Sequence, residues 1–252
     1  MTELPEPIPA ATLILMRPCA DGPPDLLMTE RARTMAFAAG ALVFPGGRID
    51  LDDQRTAKRI GADHGDAAAR IAAIRETIEE TGIAASLAPA ADKASVASMR
   101  EGLTQRVAFA DLLERHALGL DLDALTPFAR WCPNFRETRR FDTFFYLAEA
   151  PTNAPPPVAD ETEAIRAFWA PASAILEDIG ADRAFAIFPT RRNLERLARF
   201  ASIDEARADA AAHPVEKITP WVEERDGENW VCIGENLGYP VTAERLATAR
   251  RN

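Results

Sequence analysis

The sequence predicts an α/β fold, and three observations carry that expectation. Short apolar runs of strand length recur along the chain, at residues 10–17, 26–31, 127–133, 141–148 and 164–170. Between them lie stretches whose apolar residues repeat at helical spacing, most sharply at residues 70–83. At 252 residues and 47% apolar content, the chain suits one large domain with enough apolar surface for a sizeable core.

Residues 10–17 (ATLILMR following Ala10) read as a first strand, bounded by Pro9 and Pro18. Asp21-Gly22-Pro23-Pro24 marks a turn into a partner strand at 26–31. After a loop at 32–40, a short strand at 41–44 enters Pro45-Gly46-Gly47, read as a turn whose glycines permit positive φ and close backbone approach. A helix follows at 67–81, ended by Gly82. Residues 88–125 read as an inserted helical region, with helices at 96–106 and 109–118 and an apolar face of Phe109, Leu112, Leu113 and Leu118. It is either a packing appendage or a cover over the substrate.

Strands at 127–133 and 141–148 flank a basic run, Arg136, Arg139 and Arg140. A Pro-rich connector at 153–158 leads to the acidic turn Asp160-Glu161-Thr162-Glu163 and a strand at 164–170. That turn reads as solvated; its alternative is a further metal ligand or base. A helix at 171–179 has Pro171 near its start. Phe188-Pro189-Thr190 is read as the cap of a helix at 191–201, and 203–212 continues helically. Residues 222–232 read as a peripheral hairpin turning at Asp226-Gly227. Trp230 and Tyr239 are expected in the core rather than stacked on a base.

The helix at 67–81 carries the chemistry. Ile71, Ile74 and Ile78 share one stripe at about 100° per residue, and Glu76, Glu79 and Glu80 lie roughly opposite. Two of the three glutamates stand in the last turn, where the helix dipole favours cations. Glu76 and Glu80 are also a like-charge i,i+4 pair, and Arg75, four residues before Glu79, offsets only part of the cost. A hard divalent cation reverses that balance, because Mg²⁺ favours carboxylate oxygens, water and substrate phosphate. The bland reading of such a motif is a solvated acidic face. The preceding strand and Pro-Gly-Gly shift the balance toward a metal site.

These residues resemble the Nudix box of the Nudix hydrolases, G-x5-E-x7-R-E-U-x-E-E-x-G-U with U apolar. Gly47, Arg75, Glu76, Glu79, Glu80, Gly82 and Ile83 match it. Asp53 stands at the first glutamate, Thr77 at an apolar position, and the gap from Asp53 to Arg75 is longer by fourteen residues. The extra residues are expected to loop out, with Gly61 and Gly65 suited to a loop. A second resemblance, to coenzyme A diphosphohydrolases of the same family, rests on Thr29, Arg31, Ala32, Gly40, Phe44, Pro45, Gly46 and Gly47, with Ala36 in place of that pattern's second arginine. The later passage ARWCPNFRETRRFDTFFYLA is similar to the peroxisomal members of that branch.

The resemblance implies an α/β/α sandwich with a mixed sheet and hydrolysis of a diphosphate bridge using Mg²⁺ or Mn²⁺. It assigns the metal to Gly47, Glu76, Glu79 and Glu80, and the catalytic roles to Glu76, Arg75 and Glu79. Glu76 is the base by this resemblance, and Arg75 orients the carboxylates. Arg31, Arg48, Phe44, Arg139 and Arg140 are the candidate substrate contacts. Coenzyme A or an acyl derivative is the first substrate expected; a dinucleotide cofactor, ADP-ribose, or a non-catalytic sensor of such ligands are the alternatives.

A net charge of −10 and a pI near 4.9 argue against a nucleic-acid surface and require local cations or a metal for an anionic substrate. Cys19, Cys132 and Cys232 are scattered and form no zinc pattern, as in a cytoplasmic protein with reduced thiols. The opening MTELPEPIPA has no apolar stretch of a secretory signal, and no run is long enough to span a membrane. The expected partner is a small nucleotide, with a homodimer through a sheet or the inserted region left open.

Overall fold

The computed structural model describes residues 6–35, 38–133, 140–160 and 162–249. The chain opens with a long hairpin, β1 (Ile8–Cys19) and β2 (Gly22–Arg31). Two short strands follow, β3 (Leu42–Val43) and β4 (Gly46–Arg48), then helices α1 (Leu51–Arg59) and α2 (Ala67–Thr81). A small excursion comes next: β5 (Leu87–Ala88), α3 (Lys93–Thr104), α4 (Phe109–Arg115) and β6 (Gly119–Leu120), with β5 and β6 paired at its base. The chain returns through β7 (Thr126–Trp131), β8 (Phe141–Glu149) and β9 (Ala164–Pro171). Helices α5 (Ala172–Gly180), α6 (Phe188–Leu197) and α7 (Ile203–Ala212) precede β10 (Lys217–Ile218). A peripheral sheet of β11 (Trp221–Arg225), β12 (Glu228–Cys232) and β13 (Ala243–Arg245) runs into a short α8 (Leu246–Ala249).

The main sheet runs β10-β7-β8-β1-β2-β3, with β4 on β1 and β9 on β2. It is mixed: β1 pairs parallel to β8 and antiparallel to β2 and β4. Both faces are covered, which is why β1 reads as an almost unbroken apolar run. On one face, Ala11, Leu13, Leu15 and Leu27 pack under α2 with Ile71, Ile74 and Ile78. On the other, Ile14, Met16, Leu26 and Met28 pack with Leu194, Leu197 and Ala206 of α6 and α7. These two layers around one sheet are the expected sandwich. Among the described residues no helix is long and apolar enough to cross a membrane.

Several local expectations are corrected. Pro45-Gly46-Gly47 is not a turn: Gly46 and Gly47 belong to β4, and neither is among the glycines with positive φ. The residues that lengthen the gap before Arg75 do not simply loop out, because they contain α1. Helix α6 begins at Phe188, so Pro189 lies in its first turn rather than outside it. Helices α3 and α4 stop before Arg106 and Ala117, which adopt φ 61° and 52°. Each supplies the left-handed residue of a Schellman ending: Val107 N–H donates to the Gly102 carbonyl at 2.9 Å, and Leu118 N–H to the Leu113 carbonyl at 2.9 Å.

Tyr239 is buried, accepting from Trp131 Nε1 at 3.0 Å and donating to Asn193 Oδ1 at 2.8 Å. Trp230 departs from expectation; it is only half-buried on the peripheral sheet, between the guanidinium groups of Arg225 and Arg245. That sheet turns through Asp226 and Gly227, both at positive φ, as a two-residue primed turn requires.

Gly61 has φ +67° with open space around it, whereas Gly65 is equally open without positive φ. Gly61→Ala is therefore expected to cost about 1 kcal/mol through backbone conformation alone, and Gly65→Ala less than about 0.5 kcal/mol. Urea unfolding of both variants checks this; equal costs would show that the ending of α1 does not depend on Gly61.

Candidate active site

Helix α2 is nearly buried all round, so its acidic side is no solvated face. Ile71, Ile74 and Ile78 are fully buried on the sheet, and Glu80, on the other side, is only 4% exposed. The cover comes from β4, α1 and the chain leading into β9.

Arg75 ties these parts together. Its Nε and Nη2 donate to the two oxygens of Asp53 at 2.8 and 2.9 Å. Nη2 also donates to the Arg48 carbonyl at 3.1 Å, and Nη1 to Glu76 Oε1 at 2.8 Å, with Glu79 Oε2 at 3.6 Å. Asp53 is fully buried in α1, and its Oδ2 also accepts the Asp50 N–H at 2.8 Å. The residue at the box's first acidic position is therefore the anchor of Arg75. Burial alone would lower the Arg75 pKa, but the carboxylates of Asp53 and Glu76 outweigh it and hold the guanidinium firmly charged.

Gly47 explains its own identity. A Cβ there would collide with the Glu76 carboxylate, so only glycine lets the two approach. At Gly46 a Cβ would collide with Thr12 and the Ala11 carbonyl, and the Gly46 N–H donates to Glu80 Oε2 at 3.3 Å. The glycine strand thus lies directly against two of the three glutamates.

Burial pushes the Glu76 carboxyl up to about 7, against the pull of Arg75 and with the Glu79 charge adding to the rise. Glu80 is raised well above the ordinary range by burial and by the Glu76 charge, with Arg31 and the Gly46 N–H opposing. Glu79 is raised by burial against Arg75, and the charges of Glu163, Asp160 and Asp50 add to it. The acidic turn before β9 therefore faces the glutamates. Asp160 is engaged locally, accepting the N–H groups of Thr162, Glu163 and Ala164 at 3.2, 3.0 and 2.8 Å.

The other candidates are dispersed. Arg31 is half-buried on the glutamate side, where its charge reaches Glu80. Arg48 follows Gly47 along a strand, so its side chain alternates to the opposite face, and its carbonyl meets Arg75. Phe44 is 3% exposed, in the core layer on the far side of the sheet. Arg140 Nε donates to the Pro133 carbonyl at 3.3 Å. Arg139 and Arg136 lie outside the described residues, as does Ala36. A cavity of about 1140 Å³ lies on the face opposite α2, lined by Phe188, Arg191 and Arg166 among others, and none of the three glutamates borders it.

An all-oxygen donor set of this kind suits a hard cation such as Mg²⁺ or Mn²⁺. Among the described residues no three His, Cys, Asp or Glu side chains are grouped so that they could together hold a metal ion. What fits is the chemistry of the set: Glu80 is a buried carboxylate beside a second one, and its hydrogen bond to Gly46 is long. A carboxylate in that state is disfavoured unless a cation compensates it.

No protein-family model matches the chain. Acyl-coenzyme A diphosphatase NUDT19 of Xenopus laevis is 26% identical over 275 residues, covering 86% of this chain and 71% of that protein. The crystal structure of a NUDIX hydrolase from Alicyclobacillus acidocaldarius is similar at 27% identity with a TM-score of 0.67, covering 81% of this chain and 96% of that one.

Two outcomes follow from the buried charges. Asp53→Ala leaves Arg75 short of its main partner and is expected to cost about 3–5 kcal/mol in urea unfolding, part of it recovered in Asp53→Ala/Arg75→Met. Additive losses in the double variant would remove the pair from the centre of the site. Glu76, with its pKa raised to about 7, favours folding fully below its unfolded value and progressively less as pH rises to about 7. In EDTA, Glu76→Gln should therefore gain on wild type between pH 5 and pH 8, by about 2–3 kcal/mol at roughly 1.4 kcal/mol per unit. A difference that does not change with pH would contradict the burial of this carboxyl.

Proposed function

We propose that the chain is a Nudix hydrolase that uses Mg²⁺ or Mn²⁺ to cleave the diphosphate of coenzyme A or an acyl-coenzyme A. Hydrolysis of a diphosphate-bridged nucleotide is the chemistry of the family. The metal and the substrate are the finer reading. The observation that carries it is the packing of Glu76 and Glu80 against the Gly46–Gly47 backbone, with Arg75 between Asp53 and Glu76 and Glu79 3.6 Å from the same guanidinium.

In this reading Glu76, Glu79 and Glu80, with the Gly47 carbonyl, would hold the cation. When bound, it supplies neutralisation of the diphosphate and a more acidic water. By the family resemblance Glu76 takes the proton of the attacking water, and beside a divalent cation its carboxyl would be ionised and able to accept it. Arg75 keeps Glu76 and Glu79 aimed by its own fixed position on Asp53. The water attacks phosphorus, the bridging P–O bond breaks, and two phosphate products leave.

Two features support coenzyme A over other diphosphates. The Xenopus laevis relative is named an acyl-coenzyme A diphosphatase. Arg31 stands on the glutamate side of β2, where a second anionic group of the substrate could meet it. Arg48 and Phe44 take no part in this reading, because the Arg48 side chain alternates away from the glutamates and Phe44 lies in the far core layer. We read the whole chain as one domain with residues 88–125 inserted, acting in the cytoplasm, where the three free cysteines stay reduced.

The test compares coenzyme A, its dephosphorylated form and ADP-ribose at equal concentration, with product chromatography. Coenzyme A should give 3′,5′-ADP and a phosphopantetheine, and EDTA should abolish turnover. The 3′-phosphate contact should give about a ten- to hundredfold preference over the dephosphorylated form, and Arg31→Ala should erase most of it. Glu80→Gln should lose turnover and Mn²⁺ binding together. Efficient cleavage of ADP-ribose with none of coenzyme A would overturn the substrate, and full activity in EDTA would overturn the metal.

A further inference from the structure

Helix α3 crosses the end of α2, and Arg100 reaches from it to the turn that carries two glutamates. Its Nε donates to the Glu79 carbonyl at 2.9 Å. Its Nη2 donates to the Val158 carbonyl at 2.7 Å and, more weakly, to the Glu80 carbonyl at 3.4 Å. The guanidinium also lies over Gly82, where a Cβ would stand 3.5 Å from Nη1. The Val158 N–H donates back to the Thr81 carbonyl at 2.9 Å. One side chain therefore joins the excursion, the end of α2 and the chain entering β9.

The geometry has a physical reason. The last carbonyls of a helix have no partner within it, and they form its negative end. Here that end also bears Glu79 and Glu80, so it needs a cation more than most helix ends do. Lysine would supply the charge, but a guanidinium has several donors in fixed directions and can reach carbonyls of two segments at once. Beyond Val158, the Asp160 turn is closed by its own carboxylate, and the Glu163 carbonyl accepts the Ala32 N–H at 2.8 Å. The segment is thus pinned to α2 at one end and to the end of β2, beside Arg31, at the other.

We propose that Arg100 is a positioning residue for the glutamate cluster, setting the last turn of α2 against the segment before β9 so that Glu79 and Glu80 keep their aim. The excursion carrying α3 and α4 is then a brace on the site. This rests on the metal-binding reading of Glu79 and Glu80 given above. Arg100 itself touches neither substrate nor reacting atoms.

The test uses the full chain with Arg100→Ala, Arg100→Gln and Arg100→Lys. Mn²⁺ binding is read by electron paramagnetic resonance, kcat and KM on the best substrate, and hydrogen exchange of the peptide holding the Val158 amide in metal-free protein. Loss of a group that orients ligands costs about 10–100-fold in metal affinity or activity. Arg100→Ala should weaken Mn²⁺ binding and lower kcat by about tenfold, with KM within about twofold, and should speed exchange at Val158. Arg100→Lys should recover part of each. If Arg100→Ala does not fold, the Gln and Lys variants decide by the same readouts. Wild-type Mn²⁺ affinity and kcat in Arg100→Ala or Arg100→Gln, whatever the melting temperature, would overturn the role. A wild-type protein that binds no Mn²⁺ would overturn the metal reading, and the role of Arg100 with it.

Discussion

The buried ion pair between Arg75 and Asp53 is the interaction on which the site is built. Asp53 is fully buried and Arg75 nearly so, and neither charge could stay out of water alone. The pair holds α1 against α2, and the same guanidinium reaches the Arg48 carbonyl of β4 and the carboxylate of Glu76. The neighbouring segments β4 and α1 are thereby fixed to α2, which is distant from both in sequence, through one planar group. Its donors point in set directions, so their relative positions are set as well.

The crowded carboxylates are tolerated because their compensation comes from the protein as well as from any cation. Arg75 meets Glu76 and approaches Glu79 on one side. Arg100 meets the carbonyl end of the same helix on the other. Gly46 and Gly47 let backbone come closer than any side chain would allow. Glu80 has only a long hydrogen bond from Gly46 and a like charge beside it, with the Arg31 charge opposing. The helix is thus held in a state that favours an added cation, and the sheet beneath supplies the rigidity through the fully buried Ile71, Ile74 and Ile78.

Element ends show what a sequence can mark. Gly82 ends α2 at φ 67°, and Asp226-Gly227 turns the peripheral hairpin, because glycine is the residue that signals a left-handed position. Arg106 and Ala117 adopt the same conformation without any such signal, so the ends of α3 and α4 fall earlier than periodicity suggests. The two glycines of β4 mislead in the opposite sense. They look like a turn, yet they are extended, and glycine is needed there for the closeness of Glu76 and Thr12.

By itself, the sequence determined the helix with its isoleucine stripe and three glutamates, the order of strands around it, and the family pattern that ties them to a diphosphate chemistry. These are local matters: period, spacing and residue type along a short stretch. Only the tertiary structure decided that Asp53 would anchor Arg75, that Phe44 would turn into the far core layer, and that Arg100 would reach the end of α2. Those depend on which side chains meet across 20 residues or more of intervening chain. No periodicity records such meetings, because they follow from how helices and sheet pack once each has formed.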